Sequence, residues 1–148
     1  MPYFVSPVEE DGLALLTAME AACFSDPWSR GAIASHLASA AGIALIARDT
    51  EGNALGYLLG LSLSGEAELL RIAVLPEHRL RGVGLELLDG FLFRLRGEGI
   101  TSCFLEVRRS NVGAIALYEG AGFEAVGERK HYYKNPTEDA ILMARHLS

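Results

Sequence analysis

The chain has 148 residues, half of them hydrophobic and 22% charged, the balance of an ordinary globule and enough for one domain over residues 1–148. A domain of this size buries roughly 70% of its unfolded surface and needs no disulfide or metal staple. Thirteen basic residues face nineteen acidic ones for a net charge of −6, which excludes a general nucleic-acid binder with a basic footprint. In chain order, Glu9 to Cys23 reads as a helix, with Leu13, Leu16 and Met19/Glu20 near helical spacing and acids in the first turn. Ser25-Asp26-Pro27-Trp28-Ser29 breaks it, and Ser29 can cap a second short helix through about Leu37. Residues 42–48 read as a strand, 49–53 as a turn and 54–63 as the returning strand of an antiparallel hairpin. A third strand, 66–74, ends before Pro76.

The pattern then changes period. Gly82 to about Arg96 is predicted helical, with Leu85, Leu88, Leu92 and Leu95 three or four apart, and Gly97 and Gly99 close it. Residues 101–107 form a buried strand, 111–121 a helix stopped by Gly122, and 123–133 and 140–146 a closing strand pair. This order is α+β with a mixed, mostly antiparallel sheet flanked by helices. Strand 66–74, the helix and strand 101–107 form a βαβ crossover, so those two strands are expected as parallel neighbours.

No apolar run reaches the roughly 18 residues that cross a bilayer. Met1-Pro2-Tyr3-Phe4 lacks the start of a signal peptide. Cys23 and Cys103 lie far apart outside any CxxC, which suits reduced thiols and a cytoplasmic protein. The four histidines have no ligand spacing, so no metal is expected. The charge is uneven. Residues 1–70 hold two Arg and nine acids, net −7; residues 71–148 hold eleven basic residues and ten acids, net +1. That split suits two ligands of opposite sign.

Two stretches carry chemistry. In Arg79-Leu80-Arg81-Gly82-Val83-Gly84, between a strand and a helix, glycines let backbone approach a ligand. The helix start offers free N–H donors and two Arg add charge, together a pyrophosphate cradle. It is neither a Walker A loop nor a GxGxxG fingerprint, because Leu87 stands where the third glycine would fall. The plainer reading is a glycine-rich helix start with solvated arginines. In the second stretch, Glu106 lies inside the apolar run Cys103–Val107. A lone buried carboxylate is either paired, here with Arg71 or Arg108, or put to use. Asn111 can cap the next helix, and Tyr118, two turns further on, is either core or a group facing the same site.

The pattern Arg79-x-x-Gly82-x-Gly84 after Ile72-Ala73-Val74-x-Pro76 resembles motif A of the Gcn5-related N-acetyltransferase (GNAT) superfamily. Ala116-Leu117-Tyr118-Glu119-x-x-Gly122-Phe123 resembles its next motif. Pro27-Trp28-Ser29, Leu105-Glu106-Val107-Arg108-x-Ser110-Asn111, Ala114-Ile115-Ala116-Leu117-Tyr118, Tyr132-Tyr133 and Glu138-Asp139-Ala140-x-x-Met143 resemble the RimI-like branch, whose members acetylate the N-terminal α-amine of a small-subunit ribosomal protein. The likeness runs from about residue 20 to 143, with a shorter segment at Lys134–Thr137.

The resemblance implies the GNAT fold, with acetyl-CoA lying where strand 66–74 splays from strand 101–107. Backbone of Ile72, Ala73 and Val74 would hold the pantetheine. Arg79, Leu80, Arg81, Gly82, Val83, Gly84 and Leu85 would hold the pyrophosphate, and Asn111 and Tyr118 would contact the cofactor. Glu106 would be the general base and Tyr118 the general acid. Trp28, Tyr132 and Tyr133 are expected near the acceptor groove, as a peptide channel or as core. Roughly a tenth of an α-amine with pKa near 8 is neutral at pH 7, far more than of a lysine, so a terminal amine asks less of a base. Attack on the thioester makes an oxyanion that an N–H near Val74 can stabilise. Transfer is expected to be direct, without an acyl-enzyme. The partner expected is a basic N-terminal peptide of a ribosomal protein, steered by the acidic half, with no nucleic acid and no membrane. The alternatives are a lysine, polyamine or small-molecule amine as acceptor, or a non-catalytic acyl-CoA-binding module.

Overall fold

A seven-stranded sheet in the order β1-β2-β3-β4-β5-β7-β6 organises the computed structural model, which describes residues 2–147. Its strands are β1 (Phe4–Pro7), β2 (Gly42–Arg48), β3 (Ala54–Leu63), β4 (Glu66–Val74), β5 (Ser102–Arg108), β6 (Glu124–Tyr133) and β7 (Glu138–His146). The helices are α1 (Leu13–Cys23), α2 (Arg30–Ala38), α3 (Val83–Gly97) and α4 (Val112–Gly120). Every adjacent pair is antiparallel except β4 and β5, which run parallel across α3 as the crossover requires.

Two expectations need correction. β1 is absent from the sequence reading because four residues ending in proline are too short to show a period; it pairs with β2 from Phe4↔Arg48 to Pro7↔Leu45. Glu9, Glu10 and Asp11 do not open α1. Gly12 N donates to Glu9 O at 2.9 Å, closing a turn, and the first helical bond runs from Leu16 N to Gly12 O. The other boundaries agree within a residue or two. Ser29 caps α2 by accepting from Ala32 N at 3.0 Å, as its side chain should.

The sheet carries apolar side chains on both faces. On one, α3 presents the fully buried stripe Leu87, Leu88, Phe91, Leu92 and Leu95 to Leu45, Leu58, Leu69, Leu105 and Met143. Each such side chain is worth roughly 1.5–3 kcal/mol of burial. On the other, Leu16 and Met19 of α1 and Ile33 of α2 cover Ile46, Tyr57, Leu59 and Ala73. β6 closes the sheet as an exposed edge bearing Glu128, Arg129 and Lys130, charges that discourage edge-to-edge pairing.

Candidate active site

One extra residue in β4 creates the site. The β3–β4 register passes from Leu59↔Arg71 to Gly60↔Leu69, leaving Leu70 as a bulge. Side chains alternate along a strand, so Leu69 and Arg71 would otherwise share a face. With the bulge, Leu69 packs under α3 while Arg71 points toward α1. Pairing with β5 ends at the same place, since the last partners are Leu69↔Leu105. Beyond them the strands separate around a cavity of about 320 Å³. Arg71 and Ile72 line one wall and Glu106 and Val107 the other; Asn111, Tyr118 and Tyr133 also border it.

The loop expected to hold phosphate lies at the start of α3. Gly82, at φ +84°, occupies the left-handed region that glycine tolerates without strain, and open space surrounds the position a Cβ would take. Leu80 is also left-handed, at φ 62°, and its side chain is fully exposed. Gly84 lets α3 approach α4: a Cβ there would meet Leu117 Cδ2 at 3.3 Å. The N–H groups of Val83, Gly84 and Leu85 belong to the first helical turn and have no intrahelical acceptor. Arg79 and Arg81 are exposed beside them. Arg79 Nε donates to Val74 O at 2.9 Å, tying the loop to the end of β4. These groups fit a pyrophosphate. The Cys23 thiol donates to the same carbonyl at 3.7 Å, and burial raises its pKa, so it stays a neutral thiol.

Glu106 is not paired as its local sequence suggests. Arg71 pairs with Glu20, and Arg108 with Glu138. Glu106 Oε2 is closed off from solvent and has no hydrogen-bond partner. The nearest cation is Arg129 of β6, whose Nε stands 3.7 Å away, within ion-pair range but too far for a hydrogen bond. Glu106 faces an aromatic wall as well. Burial, and next its negative charge, raise the pKa of Tyr132, and the same two causes push Tyr133 up to about 12.

Tyr118 is buried on α4, edge-on to Phe123 with ring centroids 6.1 Å apart. Burial, and next the charge of Tyr133, push its pKa well above the ordinary phenol value. The phenol is therefore protonated across physiological pH and can donate a proton. Asn111 caps α4 by accepting from Ala114 N at 3.1 Å while also bordering the cavity. Tyr133 is held toward the cavity by Arg108, whose guanidinium lies 4.5 Å from the ring centroid. Arg108 also donates to Lys134 O at 2.9 Å and Pro136 O at 3.1 Å, fastening the β6–β7 turn. Tyr132 is exposed and edge-on to Tyr133. The Trp28 side chain packs with the α1–α2 cluster, edge-on to His36; on that side Phe24, Ser25 and Asp26 form the cavity wall.

A charged network absent from the sequence reading holds that wall. Glu20 is fully buried, so it is not among the acidic groups that could steer a basic peptide. Its carboxylate accepts from Arg71 Nε at 2.9 Å, Arg71 Nη2 at 3.1 Å, the Trp28 backbone N–H at 2.6 Å and the Tyr57 hydroxyl. Burial works to raise its pKa, but the bonds from Arg71, Tyr57 and Trp28 outweigh it and hold the carboxyl below its usual range. Arg71 also stacks on Phe24, 3.7 Å from the ring centroid, and donates to Asp26 O. The available signal was Glu20 standing on the apolar helical spacing of Leu13 and Leu16.

The Acetyltransferase (GNAT) family model matches residues 13–123. The chain belongs to this family. GNAT enzymes are acetyltransferases that draw on acetyl-CoA, and this chain is one of them. It is 32% identical over 146 residues to the [ribosomal protein bS18]-alanine N-acetyltransferase of Escherichia coli strain K12, covering 97% of both chains. It is 33% identical over 147 residues to the protein of the same name in Haemophilus influenzae, covering 97% of this chain and 98% of the relative. The crystal structure of the ribosomal-protein-S18-alanine N-acetyltransferase from Escherichia coli superposes with a TM-score of 0.92 at 31% identity, covering 99% of this chain and 95% of that one. The expected GNAT fold with a splayed central parallel pair is what the sheet has.

Proposed function

We propose that this GNAT enzyme transfers acetyl from acetyl-CoA to the N-terminal α-amino group of a protein, and that the acceptor is a small-subunit ribosomal protein met in the cytoplasm. The observation that carries the site assignment is Glu106, a residue of the wall of the β4–β5 opening whose Oε2 is buried without a hydrogen-bond partner. An acceptor with no donor, beside a cavity that Tyr118 also lines, is poised to take a proton. The likeness to bS18-alanine acetyltransferases over nearly the whole chain supports the choice of acceptor.

Arg79 to Leu85 would hold the pyrophosphate through their N–H groups and charge. The edge of β4 at Ile72–Val74, beyond its last pairing with β5, would hold the pantetheine, with Asn111 at the cavity rim. The bound cosubstrate supplies an acetyl thioester: the amine nitrogen forms the new C–N bond as the C–S bond breaks. Glu106 takes the proton that the amine must lose. Tyr118, protonated, gives its hydroxyl proton to the departing sulfur. Both cysteines remain neutral thiols, burial holding Cys103 up to about 12, which supports direct transfer. Exposed Glu9, Glu10 and Asp11, with Asp26 at the cavity, give a basic peptide end an attractive field.

The test is acetyl-CoA turnover on a panel of peptides and free amines, followed by mass spectrometry of the modified atom. Acetyl on the α-nitrogen is the expected product; acetyl only on lysine ε-nitrogens or polyamines overturns the reading. Tyr118→Phe is expected to lower kcat about ten- to a hundredfold with little change in acceptor KM. The loss sits at the low end for general acids because a thiolate, of pKa near 8.5, leaves with less help than an alkoxide.

A further inference from the structure

Arg129 sits where a cationic acceptor would be expected to sit. The β6–β7 register passes from Arg129↔Ala140 to Tyr133↔Glu138, so Lys130, His131 and Tyr132 stand opposite Asp139 alone. Asp139 fastens this bulge, accepting from His131 N at 2.9 Å and Lys130 Nζ at 3.3 Å. Residues three apart on a regular strand point to opposite faces. The bulge instead brings the Tyr132 ring under the Arg129 guanidinium, 5.5 Å from centroid to cation. On the other side stands Glu106 Oε2 at 3.7 Å. Glu68 of β4 pairs with Phe104, two residues before Glu106 on β5, so the two carboxylates stand on the same face of the sheet. Glu68 is partly buried and in no ion pair among the described residues, and burial and then the Glu106 charge raise its pKa while Arg129 lowers it.

Two carboxylates and an aromatic face make a seat for a cation. The chain's own guanidinium occupies it without a hydrogen bond to Glu106, and the Arg129 side chain is 58% exposed. An occupant held by field and ring alone, and mostly in water, leaves at little cost. Glu106 Oε2 is sealed from solvent, and Arg129 is the one cation standing within ion-pair range of it among the described residues.

We propose that Arg129 is an internal occupant of the acceptor's ammonium seat, formed by Glu68, Glu106 and Tyr132, and that the incoming α-ammonium displaces it to reach the base. This makes Arg129 a specificity-determining residue: it competes with acceptors that carry too little positive charge to displace it. The inference rests on the α-amine reading above.

The test is steady-state kinetics at saturating acetyl-CoA with a basic acceptor peptide, for wild type, Arg129→Gln, Arg129→Lys and Glu68→Gln. Arg129→Gln removes the competitor and is expected to lower acceptor KM about two- to fivefold, the scale of an exposed ion pair. Arg129→Lys keeps a cation there and holds KM at the wild-type value. Glu68→Gln weakens the seat and raises KM by about the same factor. Thermal melts verify that each variant is folded. An unchanged or raised KM in Arg129→Gln overturns the proposal, because Arg129 then supports acceptor binding; so does a fall in KM that Arg129→Lys reproduces. If the wild type acetylates only side-chain or polyamine nitrogens, the α-amine reading fails. The same KM comparison on that amine then still judges Arg129.

Discussion

Glu106→Gln lowers kcat/KM by about 10²- to 10⁴-fold, the usual worth of a positioned general base. The substitution keeps the shape and removes the charge and the basic oxygen. Oε2 has no hydrogen bond in the folded protein, so the exchange breaks none there, and the variant should melt within about 1 kcal/mol of wild type. The separation of the two readouts is what makes the experiment decisive. A structural ion pair would show as lost stability with retained turnover. The proposed base shows as retained stability with lost turnover. Initial rates and a thermal melt on the same preparation distinguish them, and activity within threefold of wild type places the base elsewhere.

Glu20→Ala costs about 3–5 kcal/mol of stability, because it leaves the Arg71 guanidinium without its buried partner. Arg71, Trp28 N–H and the Tyr57 hydroxyl all lose their common acceptor. Glu20→Gln tests the charge alone and should fall between wild type and alanine. The native carboxyl titrates lower than the unfolded one, so the native state binds fewer protons in that range. Its stabilisation is therefore present above the unfolded pKa of about 4.3 and is lost as pH falls through the native value. Urea titrations at pH 7 and below pH 4 should show the gap between wild type and Glu20→Gln narrowing with acid. A gap that widens with acid contradicts the assignment. Because Arg71 also holds Phe24 and Asp26 O, the alanine variant should additionally raise acceptor KM.

What could be read from sequence follows from distance along the chain. The proposed phosphate loop is contiguous: glycines, arginines and a helix start stand together within Arg79–Leu85. Glu106 is legible because a carboxylate among Cys103, Leu105 and Val107 breaks an apolar run. Its surroundings are not. Glu20 and Arg71 lie 51 residues apart, and nothing in either neighbourhood names the other, so Arg71 remains a plausible partner for Glu106 until the fold brings α1 against β4. The bulge at Leu70 leaves no mark either, since Glu66–Val74 contains no glycine or proline. Arg129 belongs to a strand exposed along nearly its whole length, where a charge is ordinary. The register shift between Ala125 and Gly127 sets Arg129 beside Glu106, and the bulge opposite Asp139 brings Tyr132 under it.

The short parallel contact between β4 and β5 also has a mechanical meaning. Four residue pairs, Glu66↔Ser102 to Leu69↔Leu105, are the whole ladder between them. One half of the molecule hangs on β1–β4 and the other on β5–β7, joined along one end of the seam and through α3, like covers on a partly bound spine. Past Leu69 the ladder to β5 stops, in the middle of the sheet rather than at its border. An amide-bearing ligand laid into that seam would act as the missing length of binding, so acetyl-CoA held there as proposed would close the sheet as it loads.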